Sequence, residues 1–109
     1  MPELPEVETT VKSLNILKNK KVTNLYVYTK KLRYKVHEIQ LKKIINSKLR
    51  NLRRISKYII LDFSNLSTLI IHLGMSGRLK IVNEKVLKKK HDHLIIKFNK
   101  NYKLLLNDP

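Results

Sequence analysis

Apolar positions near the start of the chain fall at Leu4, Val7, Val11, Leu14 and Leu17. Steps of three and four residues put them on one side of an amphipathic helix, predicted from about residue 5 to residue 18. Glutamates in its first turn and lysines in its last suit the helix dipole. The period then changes. Residues 21–28 carry Val22, Leu25 and Val27 among β-forming neighbours and read as a strand. Over 36–45, Val36, Ile39 and Ile44 or Ile45 share one side of a short helix. From residue 48 the pattern is one of short strands, predicted over 48–56, 58–63, 68–73, 78–82, 91–98 and 102–106. Their separators, Ser64-Asn65-Leu66-Ser67, Gly74-Met75-Ser76-Gly77 and Asn99-Lys100-Asn101, are rich in turn formers. The expected fold is α+β and mostly β: a two-layer β-sandwich or flattened barrel flanked by helices. No internal repeat or linker divides residues 1–109, so one domain is expected.

Charge changes the picture. The 109 residues hold 24 Lys and Arg against 8 Asp and Glu, a formal net charge of +16. Three of the acids, Glu3, Glu6 and Glu8, lie in the first eight residues, so the rest of the chain is more basic still. Such a field calls for a polyanion, either nucleic acid or an anionic membrane surface. The chain also lacks alanine and abounds in Lys, Asn and Ile. An AT-rich coding bias explains surplus Lys, but it equally favours Asn and does not account for the shortage of acids. The clearest helix begins acidic, which disfavours membrane-surface binding. There is no cysteine, which excludes disulfides and thiolate metal sites within these residues. No apolar run has the length of a membrane span, and the start does not read as a signal peptide, so a cytoplasmic protein is expected.

Several residues are suited to chemistry. Pro2 becomes the N-terminal residue once Met1 is trimmed, giving a secondary amine with the Glu3 carboxylate beside it. Such an amine can attack an electrophilic carbon, for example C1′ of a nucleotide, and form an iminium without losing a further proton. The adjacent carboxylate can move protons in the same step. The plainer alternative is a chain that happens to start Met-Pro, with Pro5 opening a helix where its missing N–H is harmless. In His72-Leu73-Gly74-Met75-Ser76-Gly77 two glycines frame a tight loop. It either presents Met75 as an apolar wedge for a base stack or tucks Met75 into the core. In Arg53-Arg54-Ile55-Ser56-Lys57-Tyr58, strand alternation puts Arg53, Ile55 and Lys57 on one face and Arg54, Ser56 and Tyr58 on the other. A cation turned inward there needs an anion; a solvated sheet edge is the alternative. His91 and His93 flank Asp92 at strand spacing and share a face. No third ligand accompanies them, so a phosphate contact is the better expectation than a metal.

Taken together, these blocks resemble the N-terminal domain of the formamidopyrimidine-DNA glycosylase and endonuclease VIII family of base-excision repair enzymes. Pro2-Glu3-Leu4-Pro5-Glu6-Val7-Glu8-Thr9 is similar to the family's opening motif. Ser56-Lys57-Tyr58, His72 to Gly77, Lys90-His91-Asp92-His93 and Asn107-Asp108-Pro109 are similar to its later blocks, in order and at family-like spacing across the whole chain. Leu4 favours the oxidised-purine branch, since the endonuclease VIII branch typically has glycine there.

The resemblance implies a bifunctional glycosylase and lyase that removes oxidised purines such as 8-oxoguanine and formamidopyrimidines. Pro2 would form a Schiff base with C1′, and Glu3 would donate the proton for base loss and ring opening. Lys57 would contact the backbone phosphate and assist β-elimination. Met75 would fill the space left by the extruded base. His91 and Arg54 are expected to contact DNA, and Glu6 and Asn107 are further candidates. The implied partner is double-stranded DNA containing oxidised purines or abasic sites, met by a monomer. No cofactor is expected within these residues. Full-length family members continue past Asn-Asp-Pro with opposite-strand arginines and a phenylalanine, a helix–two-turn–helix domain and commonly a zinc finger. Leu104-Leu105-Leu106-Asn107-Asp108-Pro109 stops where a strand hands over to a turn, so a truncated chain is expected, with feeble excision of its own. The competing expectation is a DNA-binding remnant that keeps fold and charge without turnover.

Overall fold

A computed structural model describes residues 4–28, 41–56, 58–74 and 76–109, with residues 4–7 described by their backbone alone. The predicted first helix forms as α1, Leu4–Ser13, and tightens into a 3-10 turn over Leu14–Leu17. Asn19 follows with a φ of 69°, a left-handed conformation that asparagine tolerates and that ends the helical run. The predicted apolar stripe is the buried one where side chains are described: Val11, Leu14 and Leu17 are all in the core. Of the second predicted helix, residues 36–40 lie outside the described residues. The remainder contains a 3-10 turn over Lys42–Ile44, with Ile44 buried.

Seven strands follow the predicted boundaries closely. They are β1 (Val22–Val27), β2 (Leu49–Ile55), β3 (Tyr58–Phe63), β4 (Thr68–His72), β5 (Arg78–Asn83), β6 (Asp92–Phe98) and β7 (Tyr102–Asn107). They form two antiparallel sheets, ordered β1-β6-β7-β5 and β2-β3-β4, and no closed barrel. The β-sandwich expectation therefore holds and the barrel alternative does not. Alternate residues of each sheet face the shared interior. Ile59, Leu61 and Phe63 supply it from β3, Leu94, Ile96 and Phe98 from β6, and Leu25 and Leu104 from β1 and β7. Burying a side chain of this size stabilises the fold by about 1.5–3 kcal/mol. Helix α1 packs against β2 and β3.

Part of the outer face of the larger sheet is covered too. The connection from β5 to β6 crosses it, with the Val86 carbonyl accepting a hydrogen bond from Lys103 and the Lys88 ammonium 4.6 Å from the Tyr28 ring centre. Ile95, Leu105 and Lys103 are consequently buried although they point away from the interior. The buried Lys103 ammonium has that carbonyl as its hydrogen-bond acceptor.

The hairpin joining β2 and β3 corrects one expectation. Ile55 pairs with Tyr58, so the chain reverses between them, and Ser56 takes a φ of 53°. Directly paired residues share a face. Tyr58 therefore stands on the side of Ile55 and Arg53, and Arg54 lies on the opposite side with its partner Ile59. Alternation holds along a single strand, and the chain reverses between Ile55 and Tyr58.

Candidate active site

All four blocks downstream of the helix come to one end of the sandwich. Antiparallel pairing fixes this directly. The β2–β3 turn lies at the end where Tyr58 pairs with His72, the last residue of β4. Beyond His72 the chain crosses to the second sheet and starts β5 at Arg78, which pairs with Asn107 at the end of β7. Asn107 pairs in turn with Asp92 at the start of β6. The first turns of α1 reach the same end through an ion pair, where Arg54 Nε donates to Glu8 Oε2 at 2.5 Å.

The loop between β4 and β5 is shaped by its glycines. Gly74 has a φ of 68°, a region open to glycine and strained for most side chains. The Gly77 N–H donates to the Leu73 carbonyl at 2.9 Å and closes the loop. A Cβ on Gly77 would lie 2.3 Å from that carbonyl oxygen, so no larger residue fits without moving the backbone. The Gly74 N–H donates to His72 Nδ1 at 3.2 Å, and the His72 ring lies 5.0 Å from that of Tyr58. A tight loop is thus present as the sequence suggested. Met75 itself lies outside the described residues.

A second network ties this loop to the other sheet. Ser76 Oγ donates to the Asp108 carboxylate, and the Asp108 N–H donates to the His91 carbonyl at 3.0 Å. His93 Nε2 lies 2.6 Å from the Asp108 carbonyl oxygen, and the His91 and His93 rings meet edge-on at 6.5 Å. Asp92, between them, is buried. It accepts from Asn107 Nδ2 at 2.9 Å and from the Lys89 N–H at 2.8 Å. Burial pushes its pKa up. The hydrogen bonds from Asn107 and Lys89, with the charges of Lys88 and Lys89, outweigh this and hold the carboxyl below the usual range.

The candidates named from sequence are distributed as follows. Pro2, Glu3, Lys57 and Met75 lie outside the described residues, and the side chain of Glu6 does too. His91 stands at the rim, half-buried, beside β6. Asn107 is engaged with Asp92. Arg54 is engaged with Glu8 and, through Nη1, with the Ser56 carbonyl at 2.9 Å. Neither cation is buried inward: Arg54, on an exposed stretch of β2, pairs with Glu8, and the neighbouring Arg53 pairs with Asp62 at 2.9 Å on the opposite face. Arg53 holds the Asp62 carboxyl below its ordinary pKa. Sequence reasoning missed Glu8 and Ser76. Their partners lie 46 and 32 residues away, separations at which no local pattern operates. Among the described residues no group of three His, Asp or Glu side chains is placed to hold a metal ion. Also among them, no helix is long and apolar enough to cross a membrane.

A two-sheet domain with a helix at one edge, whose loops gather a basic, histidine-bearing rim at one end, defines a class in which the loops carry the chemistry. The family model for the formamidopyrimidine-DNA glycosylase N-terminal domain matches residues 1–109, and the chain belongs to that family. It is 42% identical over 109 residues to a formamidopyrimidine-DNA glycosylase of Rickettsia canadensis, spanning 99% of this chain and 40% of that protein. The enzyme of that name from Rickettsia massiliae matches at 42%, over 99% of this chain and 39% of its own length. The chain therefore spans about two fifths of these relatives. Among solved structures, a Lactococcus lactis enzyme of this name in complex with DNA containing Fapy-dG superposes with a TM-score of 0.89. Identity to it is 29%, with 97% of this chain and 40% of that one covered. The same enzyme bound non-covalently to DNA containing an AP site gives a TM-score of 0.89 at 28% identity, covering 98% and 41%.

Proposed function

We propose that this chain carries the nucleophilic half of a DNA glycosylase and lyase that acts on oxidised purines in duplex DNA. The observation that carries the reading is the convergence of the 56–57 turn, the 73–77 loop, the 88–93 segment and the first turns of α1 at one end of the sandwich. The sequence neighbours of Pro2, Lys57 and Met75 all belong to that end. The +16 charge supplies the attraction to a phosphate backbone. The solved relatives bound to Fapy-dG and AP-site DNA support this substrate class.

The reaction then runs as follows. The Pro2 amine attacks C1′ and the C1′–N bond to the damaged base breaks, the base leaving with the proton that the attacking amine gives up. Glu3 protonates the sugar ring oxygen as the ring opens, and the nitrogen lone pair completes a cationic iminium. Removal of a C2′ proton breaks the C3′–O bond by β-elimination, which releases the 3′ phosphate. Water hydrolyses the iminium and returns the free amine. Lys57 holds the phosphate through the elimination, and His91 holds the flanking backbone. Met75 takes the space of the extruded base.

Abasic DNA already exposes the aldehyde, so it isolates the steps assigned to this chain. Residues 1–109 should nick an abasic-site duplex and leave an unsaturated sugar remnant on the 3′ end. Lys57→Ala should slow this by about a hundredfold, the cost of a displacement of about 1 Å when the phosphate is no longer held in place. A chain that binds the duplex and leaves the abasic site intact would be a basic DNA-binding module without turnover.

A further inference from the structure

We propose that Arg54 is a positioning residue, coupling the helix that follows Pro2 and Glu3 to the turn that precedes Lys57 and so fixing the separation of the two reacting groups. This rests on the proposed function.

The geometry is that of a bracket. Arg54 Nε reaches the Glu8 carboxylate of α1, and Arg54 Nη1 reaches the carbonyl of Ser56. Glu8 lies five residues after Glu3 on a helix that begins at Leu4, and Ser56 is the residue before Lys57. The planar guanidinium holds its N–H groups at fixed angles, so two engaged donors set both distance and orientation between the elements, which a lysine ammonium cannot do. The Arg54 and Glu8 side chains are 32% and 44% exposed. An ion pair that open to solvent contributes only about 0–1 kcal/mol to stability. Its consequence is therefore sought in placement, and a displacement of about 1 Å between reacting groups can cost about a hundredfold in rate. Arg53 shows the contrast: it pairs with Asp62 on the adjacent strand β3, within one sheet.

The test compares wild-type residues 1–109 with Glu8→Arg, Arg54→Glu, the double exchange and Arg54→Lys. The readout is the single-turnover rate of borohydride capture on a saturating abasic-site duplex, with affinity and melting temperature measured alongside. Each single exchange should lose about tenfold or more in rate at saturation. The double exchange keeps the net charge and restores the pair with α1 but offers no donor to the Ser56 carbonyl, so it should recover only part of the loss, staying faster than Arg54→Glu. Arg54→Lys keeps the charge but engages one partner at a time, so it should fall between and serves as the mild variant if an exchange unfolds the chain. Single exchanges that capture at the wild-type rate overturn the inference. A double exchange as slow as Arg54→Glu also overturns it and makes Arg54 a phosphate contact. A wild-type chain that captures nothing overturns the proposed function and takes this inference with it.

Discussion

Asp92 is 2% exposed at the start of β6, where burial alone would favour its neutral form. Two donors, Asn107 Nδ2 and the Lys89 N–H, are aimed at its two oxygens and reverse that preference. Its folded pKa lies below the ordinary 3.8, so its contribution is fully present above about pH 4 and is lost as pH falls through the folded value. Asp92→Asn should destabilise the chain at pH 7 by about 1–3 kcal/mol, because one donor loses its acceptor. Melting curves of both proteins from pH 7 to pH 2.5 should converge below 3.8. A constant gap across that range would show that the ionised carboxylate is not what matters. The sequence drew the eye to the two flanking histidines by their alternation. It gave no sign that the residue between them is the hub, since one of its partners lies 15 positions away on another strand.

At the scale of elements, turns were the most legible feature and also the source of the one reversal. Asn46, Lys100 and Asn101 take positive φ at separators, as Asn19 does after the helix. The strand boundaries follow where turn formers interrupt the short apolar runs. Sheet membership was not legible. β1 pairs with β6 across some 70 residues, and that choice is made by the interior rather than by anything local. Leu66 stands out among the turns, with a φ of 68° and 95% of its surface exposed. A bulky residue there strains the backbone and gains nothing from burial. Leu66→Asn should raise stability by about 0.5–1 kcal/mol, moving the melting temperature upward by several degrees in a domain of this size. A lower melting temperature would mean that the Leu66 side chain makes contacts that offset its strain.

For the whole molecule, two sheets and a helix bring residues from the start, middle and end of the chain to one rim. The blocks are legible in the sequence, and the resemblance implies their roles. It did not show how they are joined, because the joints are side-chain contacts over long separations: Arg54 to Glu8 and Ser76 to Asp108. The strongly basic composition was the global property read most directly, and it fits a partner with a continuous line of phosphates. The central claim is that the first amine of this chain is the nucleophile. Borohydride reduction of residues 1–109 with an abasic-site duplex, followed by peptide mapping, tests it most directly. The account predicts one covalent adduct, carried on Pro2 of a chain that has lost Met1. An adduct carried on a lysine, with the Pro2 amine unmodified, would contradict it.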